Sequence, residues 1–89
     1  MSRWQLLSRP GCGLCEEMLE ALAVLPAAQG LAIEVLDVDR QEAYRVRYGH
    51  KIPVLLLDGE PVCRGRLDPA EVLRALAALD GNADPDRKV

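Results

Sequence analysis

Two cysteines, Cys12 and Cys15, stand three positions apart in the stretch Cys12-Gly13-Leu14-Cys15. An apolar segment typical of a strand precedes them and one typical of a helix follows them, so Cys12 falls at the amino end of the helix. Unpaired backbone N–H groups and the helix dipole favour an anion there. A thiolate is such an anion, and it is the nucleophilic form of cysteine. The placement therefore predicts redox chemistry, in which the pair attacks a disulfide and closes one of its own.

Other interpretations of the cysteines exist. Cys12 and Cys15 could be ordinary buried residues, and packing is the default role for Cys63, since free cysteine is often buried. Cys63 could instead be a third redox partner. A Cys3His zinc set from Cys12, Cys15, Cys63 and His50 is also conceivable, although the separations do not match those of zinc ribbons.

The composition sets limits on the fold and on the partners. A chain of 89 residues forms one domain with a small core. Aromatic residues make up 3% and phenylalanine is absent, so the core must be packed mainly from leucine, valine and alanine, as in thin α/β layers. The net charge of −3 and the scattered basic residues give no footprint for nucleic acid.

The amino terminus has no apolar stretch typical of a signal peptide, and no segment approaches the ~18 apolar residues of a membrane span. We therefore expect a cytoplasmic protein without a membrane partner. We also expect a monomer. In a reducing compartment paired thiols indicate redox or metal chemistry rather than a structural disulfide framework.

Hydrophobic periodicity and turn residues predict seven elements in the order βαβαββα. The strands are expected at 4–8, 31–36, 52–57 and 61–63, and the helices at 15–25, from 39 to Gly49, and from 68 to Gly81. Leucines and a methionine form the predicted buried faces: Leu14, Met18, Leu22 and Leu25 in the first helix, and Leu73, Leu76 and Leu79 in the last.

Turn and capping residues support these boundaries. Asp39 with Glu42, and Asp68 with Glu71, have the spacing of capping boxes, and Asp58-Gly59 is a strong hairpin signal. Asp37 is expected simply to end the second strand. Tyr44 and Tyr48 are expected to contact the core. Residues 1–81 form the predicted domain, and the polar residues 82–89 a disordered tail.

The stretches 8–15, 37–39, 48–54 and 64–68 carry a family resemblance. Together with the element order they resemble the glutaredoxin branch of the thioredoxin fold, and most closely small bacterial glutaredoxin-like proteins. CxxC after a strand and Ile52-Pro53 before a later strand are the most specific parts. The resemblance implies a thioredoxin/glutaredoxin-like α/β fold, with a four-stranded mixed sheet flanked by helices.

The resemblance also implies an activity and its residues. It implies a thiol–disulfide oxidoreductase that needs no cofactor and reduces protein disulfides or glutathione-mixed disulfides, with glutathione as a possible co-substrate. Cys12 would be the nucleophile and Cys15 the resolving thiol. Pro53 would be cis, so that the Ile52 backbone pairs with the substrate as an added strand. The implied substrate-binding residues are Arg9, Gly13, Leu14, Ile52, Pro53, Arg64 and Gly65. The alternative is a binding module that holds an iron–sulfur cluster, zinc or a partner protein without turnover.

The chain departs from the family pattern at three places. Gly13-Leu14 replaces the usual Pro-Tyr pair, and Arg64-Gly65 replaces a Gly-Gly pair beside glutathione. Arg64 would then either obstruct the ligand or bind its carboxylate. Glu16 and Glu17 follow Cys15 directly and are expected to disfavour the thiolate.

Overall fold

The computed structural model describes residues 2–80 and contains, within them, four strands and three α-helices. Two short 3₁₀ turns, Pro26–Ala28 and Val38–Arg40, follow the first helix and the second strand. The strands are β1 (Trp4–Ser8), β2 (Ile33–Asp37), β3 (Val54–Leu57) and β4 (Glu60–Arg64), and the helices are α1 (Gly13–Val24), α2 (Glu42–Tyr48) and α3 (Pro69–Asp80).

The strands form one mixed sheet in the order β2-β1-β3-β4. β1 runs parallel to β2 and antiparallel to β3, and β3 pairs antiparallel with β4. Asp58 and Gly59 connect β3 to β4 with φ of 51° and 86°. Positive φ at both central residues is the requirement of a type I′ turn, so the predicted hairpin is confirmed. The predicted four-stranded mixed sheet is confirmed as well.

Alternate residues of the central strands point to opposite faces of the sheet and build two core clusters. Leu6 and Leu55 pack with α1, through Met18 and Leu22, and with Val72 of α3. On the other face, Leu7, Val54 and Leu56 pack against Tyr48 of α2 and Val38. Tyr44 packs at the edge of this second cluster, which confirms that both tyrosines contact the core. The sheet therefore has α1 and α3 on one face and α2 on the other.

Several predicted boundaries were wrong by a few residues. α1 begins at Gly13 rather than residue 15, because Cys12 takes the cap position. β2 and β3 begin two residues later than expected, at Ile33 and Val54. The predicted tail, 82–89, and the helix end at Gly81 lie outside the described residues.

The capping box at Asp39 was also wrong. Gln41 is the cap residue of α2, and it makes no side-chain capping hydrogen bond. Asp37 instead caps the preceding 3₁₀ turn, its carboxylate accepting a 3.0 Å hydrogen bond from the Asp39 N–H. At α3, Asp68 does cap the helix by accepting from the Ala70 N–H at 3.1 Å.

The buried helix faces agree with the predicted ones only in part. Leu14 is 49% exposed, because Cys15 occupies the buried position of the first turn of α1. In α3 Val72 is fully buried, and Leu73 and Leu79 are 52% and 44% exposed. The rest of the predicted faces is confirmed: Met18 and Leu22 are 1% and 4% exposed, and Leu25 and Leu76 pack against the first core cluster.

Candidate active site

A tight turn connects the end of β1 to the start of α1, and Cys12 is its last residue. The Cys12 N–H donates a 3.1 Å hydrogen bond to the Arg9 carbonyl, which closes the turn Arg9-Pro10-Gly11-Cys12. Gly11 has φ of 79°. Proline at the second position and a positive-φ glycine at the third are the residues that a type II turn requires. These two residues therefore determine how the chain passes from β1 into α1.

Cys12 is the N-cap residue of α1. Its sulfur accepts a 3.1 Å hydrogen bond from the Cys15 backbone N–H, and its carbonyl accepts the first helical bond, from Glu16 at 3.2 Å. Because the first N–H groups of a helix lack helical partners and carry the positive end of the dipole, this hydrogen bond favours a negatively charged sulfur. The position is suited to a nucleophilic thiolate.

The two cysteines of the motif are bonded to each other. Cys12 and Cys15 form a disulfide, with Cα atoms 5.2 Å apart. That separation is within the usual range of about 4.4–6.8 Å for disulfides. Cys12 is partly exposed and Cys15 is 1% exposed. An external thiol or disulfide can therefore reach Cys12 but not Cys15.

Two grooves flank the amino end of α1. The first, called here the β2 groove, has a volume of about 340 Å³ and is lined by Cys12 together with Pro10, Glu16, Leu19, Val35, Leu36 and Asp37 among others. The second, called the Gly65 groove, has a volume of about 210 Å³ and includes Leu14, Glu17, Gly65 and Arg66. Glu16 and Glu17, although adjacent in sequence, thus line different grooves.

The structure brings together part of the predicted substrate-binding set. Leu14 and Gly65 line the Gly65 groove, and the Gly65 N–H donates a 2.8 Å hydrogen bond to the Pro53 carbonyl. The Ile52–Pro53 peptide bond is cis, with Pro53 buried and Ile52 half-buried. Arg64 is exposed and pairs with Val54 across β3 and β4. Gly13, at the first position of α1, is exposed beside Cys12.

Arg9 lies apart from the Gly65 groove and is bound to a carboxylate. Its guanidinium donates from Nε and Nη2 to the two Asp39 oxygens, each at 2.8 Å, and from Nη1 to the Gly49 carbonyl at 3.3 Å. The hydrogen bond with Asp39 raises the pKa of Arg9 and lowers the pKa of Asp39. Arg9 therefore acts within the fold by fixing the turn before Cys12.

Sequence reasoning missed Asp39 as the partner of Arg9. The signal was present, since Arg9 follows β1 and Asp39 follows the parallel neighbour β2. The carboxyl ends of adjacent parallel strands lie at the same edge of a sheet, which brings residues distant in sequence together.

Cys63 lies away from the amino end of α1, on β4 opposite Leu55, and packs against the first core cluster. It is half-buried, and burial raises the pKa of its thiol. Packing, the default expectation, fits this position. Within residues 2–80 no three cysteine, histidine or carboxylate side chains are grouped to hold a metal, so the Cys3His set is not brought together.

None of the helices in the described part of the chain has the length and apolar character needed to cross a bilayer.

The sheet order, the helix layers and the disulfide at the start of α1 define a thioredoxin-fold protein. The chain belongs to the family described as glutaredoxin-like domain (DUF836), whose model matches residues 3–77. The resemblance inferred from the sequence is thereby confirmed.

Known proteins are similar to this chain over most of its length. Uncharacterized proteins of Mycobacterium tuberculosis (Rv0508) and Mycobacterium bovis (Mb0520) are each 31% identical over 96 residues, covering 100% of this chain and 99% of the relative. The solution structure of protein Ne2328 from Nitrosomonas europaea superposes with a TM-score of 0.74 at 29% identity, covering 83% of this chain and 89% of that one. A mutant thioredoxin from Halobacterium salinarum gives a TM-score of 0.55 at 29% identity, with coverage of 86% and 73%.

Proposed function

We propose that the protein is a dithiol–disulfide oxidoreductase in which Cys12 attacks the substrate and Cys15 resolves the intermediate. The observation that carries the proposal is the hydrogen bond from the Cys15 N–H to the Cys12 sulfur at the amino end of α1. In the reduced protein the same N–H would stabilise the thiolate of the accessible cysteine, and the buried cysteine is placed to form a disulfide with it.

The reaction consists of two thiol–disulfide exchanges. In the first, the Cys12 thiolate attacks one sulfur of a substrate disulfide, that S–S bond breaks, and the second substrate sulfur leaves as a thiolate. In the second, Cys15 loses its proton and attacks the Cys12 sulfur, which releases the first substrate sulfur and closes the Cys12–Cys15 disulfide. The substrate gains two electrons and two protons. Two molecules of a small thiol such as glutathione, or one dithiol, then reduce the protein again.

The proposed substrates are protein disulfides and glutathione-mixed disulfides. The Gly65 groove supports a glutathione site because Leu14 and Gly65 line it, and the Gly65 N–H is hydrogen-bonded to the Pro53 carbonyl. Arg66 also lines this groove, and within residues 2–80 neither Arg64 nor Arg66 forms an ion pair. Either guanidinium is thus available for a ligand carboxylate. Arg9 is a poorer candidate because Asp39 already occupies its guanidinium.

Treatment of the reduced protein with glutathione disulfide, followed by thiol counting and peptide mass spectrometry, tests the proposal. The wild-type chain should lose two free thiols, form the Cys12–Cys15 disulfide and retain Cys63. Cys15→Ser should accumulate one glutathione on Cys12, and Cys12→Ser should react slowly. Cys63→Ser is the matched control and should still form the internal disulfide.

Two outcomes would contradict the proposal. Retention of all three thiols under these conditions would remove the redox role. Stoichiometric zinc in freshly purified protein, released when Cys12 is replaced, would assign the thiols to metal binding instead.

A further inference from the structure

The β2 groove combines an apolar lining with acidic groups directly beside the nucleophile. Pro10, Leu19 and Val35 supply apolar surface, and Val35 is 49% exposed although it lies on a strand. Glu16 of α1 and Asp37 at the end of β2 add two carboxylates. Cys12 lines the same groove, so a group bound there would be adjacent to the sulfur that exchanges.

The charge of this groove is negative. The cation in its lining, Arg9, forms two hydrogen bonds with Asp39, so its charge is balanced by a carboxylate. Glu16 is exposed and forms no ion pair within residues 2–80, and Asp37 makes a capping bond to the Asp39 N–H. The Asp37 carboxylate also interacts electrostatically with Arg9, and the Glu16 carboxylate keeps the net charge of the lining negative.

We propose that the β2 groove selects disulfide substrates in which an apolar and a cationic side chain flank the reacting cysteine, as in a basic segment of a protein. The proposal rests on the proposed function and specifies its substrate class. Its basis is charge complementarity between Glu16, Asp37 and a lysine or arginine, together with apolar contact to Val35. An anionic disulfide such as that of glutathione is disfavoured in this groove, although the Gly65 groove stays open to it.

The volume of the groove fits a segment of peptide. About 340 Å³ is at the lower end of the range of about 300–1,000 Å³ found for ligand clefts, and thus suits a few side chains. A purely ionic ligand would leave the apolar lining unused, whereas a leucine next to the reacting cysteine would cover it. A basic peptide with apolar residues uses both parts of the lining.

The test uses synthetic peptides activated on cysteine as a neutral thiopyridyl disulfide. The reference peptide is Ala-Lys-Leu-Cys-Leu-Lys-Ala, and in its partners both lysines are replaced by Glu or by Gln. The Cys12 thiolate attacks the peptide sulfur, the peptide–Cys12 disulfide forms, and pyridine-2-thione leaves with a proton. Its absorbance gives the rate in single turnovers of pre-reduced wild-type protein. Each rate is divided by the rate with 2-mercaptoethanol, which removes the intrinsic reactivity of the peptide.

The normalised rate should be about 5- to 10-fold higher for the Lys than for the Glu peptide at low salt, since two carboxylates attract one and repel the other. The ratio should fall towards one in 1 M salt, where the Debye length is about 3 Å. Replacing the leucines of the Lys peptide by serine should lower its normalised rate about 3-fold, because the apolar contact is lost. An unchanged rate in the serine peptide would overturn the assignment to an apolar peptide segment.

Variants distinguish the effect of the groove carboxylates on this ratio from the effect of the overall charge of the protein. Glu16→Gln and Asp37→Asn should each lower the Lys:Glu rate ratio at least 2-fold. Asparagine retains the capping hydrogen bond that Asp37 makes. Glu17→Gln is the matched control, because Glu17 lines the Gly65 groove, and its ratio should stay at the wild-type value. The ratio within each variant cancels any change in Cys12 reactivity.

The remaining outcomes are distinct. A Lys:Glu rate ratio of one in the wild type would overturn the groove proposal, and so would an equal loss of that ratio in Glu16→Gln and Glu17→Gln. In either case, reaction with the neutral Gln peptide would leave the proposed function intact. Failure of all three peptides to react would instead contradict the proposed function itself.

Discussion

The two oxygens of the Asp39 carboxylate each accept a 2.8 Å hydrogen bond from the Arg9 guanidinium, one from Nε and the other from Nη2. The same guanidinium reaches the Gly49 carbonyl at 3.3 Å. Arg9 therefore joins the end of β1 to the turn after β2 and to the end of α2. Since the Arg9 carbonyl also accepts the Cys12 N–H, this pair positions the turn that presents the nucleophile.

Asp39→Asn is expected to lower thermal stability at neutral pH and to have no effect in acid. The hydrogen bond from Arg9 lowers the pKa of Asp39 below its ordinary value of 3.8 in the folded state. A depressed folded pKa gives stability that is present above the ordinary value and is lost as pH falls through the lowered one. The difference in melting temperature between wild type and variant should therefore be largest near pH 7 and shrink below about pH 4.

The control for this measurement is Glu42→Gln. The carboxylate of Glu42 is paired with Arg45 at 3.7 Å but its side chain is 81% exposed, so its removal should change the melting temperature less. A difference for Asp39→Asn that is the same at pH 2 and pH 7 would show that the effect is not electrostatic.

Two leucine-to-alanine substitutions, one at a buried and one at an exposed position, are expected to differ in the unfolding free energy that they cost. Leu55 is fully buried in the first core cluster, and its truncation should cost about 2–5 kcal/mol of unfolding free energy through lost contacts and a cavity. Leu73, at 52% exposure, should lose less than about 1 kcal/mol by the same change. Urea denaturation of the oxidised proteins at pH 7 measures both. Equal losses would mean that the assigned face of α3 is incorrect.

Features that depend on neighbours in the sequence were predictable. β1 spans Trp4–Ser8 as expected, and Asp58-Gly59 forms the expected turn because few residues tolerate its positive φ values. The placement of Cys12 and Cys15 followed from the helix start between two apolar segments. Cys12 at the cap position is partly exposed, whereas Cys15 at the third helical position is 1% exposed.

Features that depend on tertiary contacts were not predictable in the same way. The Arg9–Asp39 pair joins residues 30 positions apart, and its formation removed Asp39 from the capping box that the local pattern indicates. On hydrophobicity alone, Leu14 is the expected first core residue of α1. Because Cys15 takes that position, the leucine faces the Gly65 groove instead. The distribution of Glu16 and Glu17 between two grooves also required the structure.

Alkylation of the fully reduced protein is expected to follow the order Cys12, then Cys15 and Cys63. Cys12 is accessible and its sulfur accepts an N–H hydrogen bond, whereas Cys15 is buried. Burial raises the pKa of Cys63 above its ordinary value of 9.0, so its thiolate is scarce at neutral pH. Timed quenching with iodoacetamide at pH 7, followed by peptide mass spectrometry, gives the order. Labelling of Cys63 before Cys12 would contradict the assignment of the nucleophile.

Glu16→Gln is expected to accelerate the alkylation of Cys12 at pH 6 by about 2- to 3-fold. Glu16 lines the same groove as Cys12, and a neighbouring negative charge disfavours the thiolate, so its removal should increase the thiolate fraction where the thiol is largely protonated. Glu17→Gln should have a smaller effect because its side chain lines the Gly65 groove on the other side of α1. The neutral reagent iodoacetamide avoids attraction or repulsion of the probe itself. At a pH well above the titration of the Cys12 thiol, wild type and both variants should converge. An unchanged or slower rate in Glu16→Gln at pH 6 would show that the Glu16 carboxylate does not act on the Cys12 sulfur.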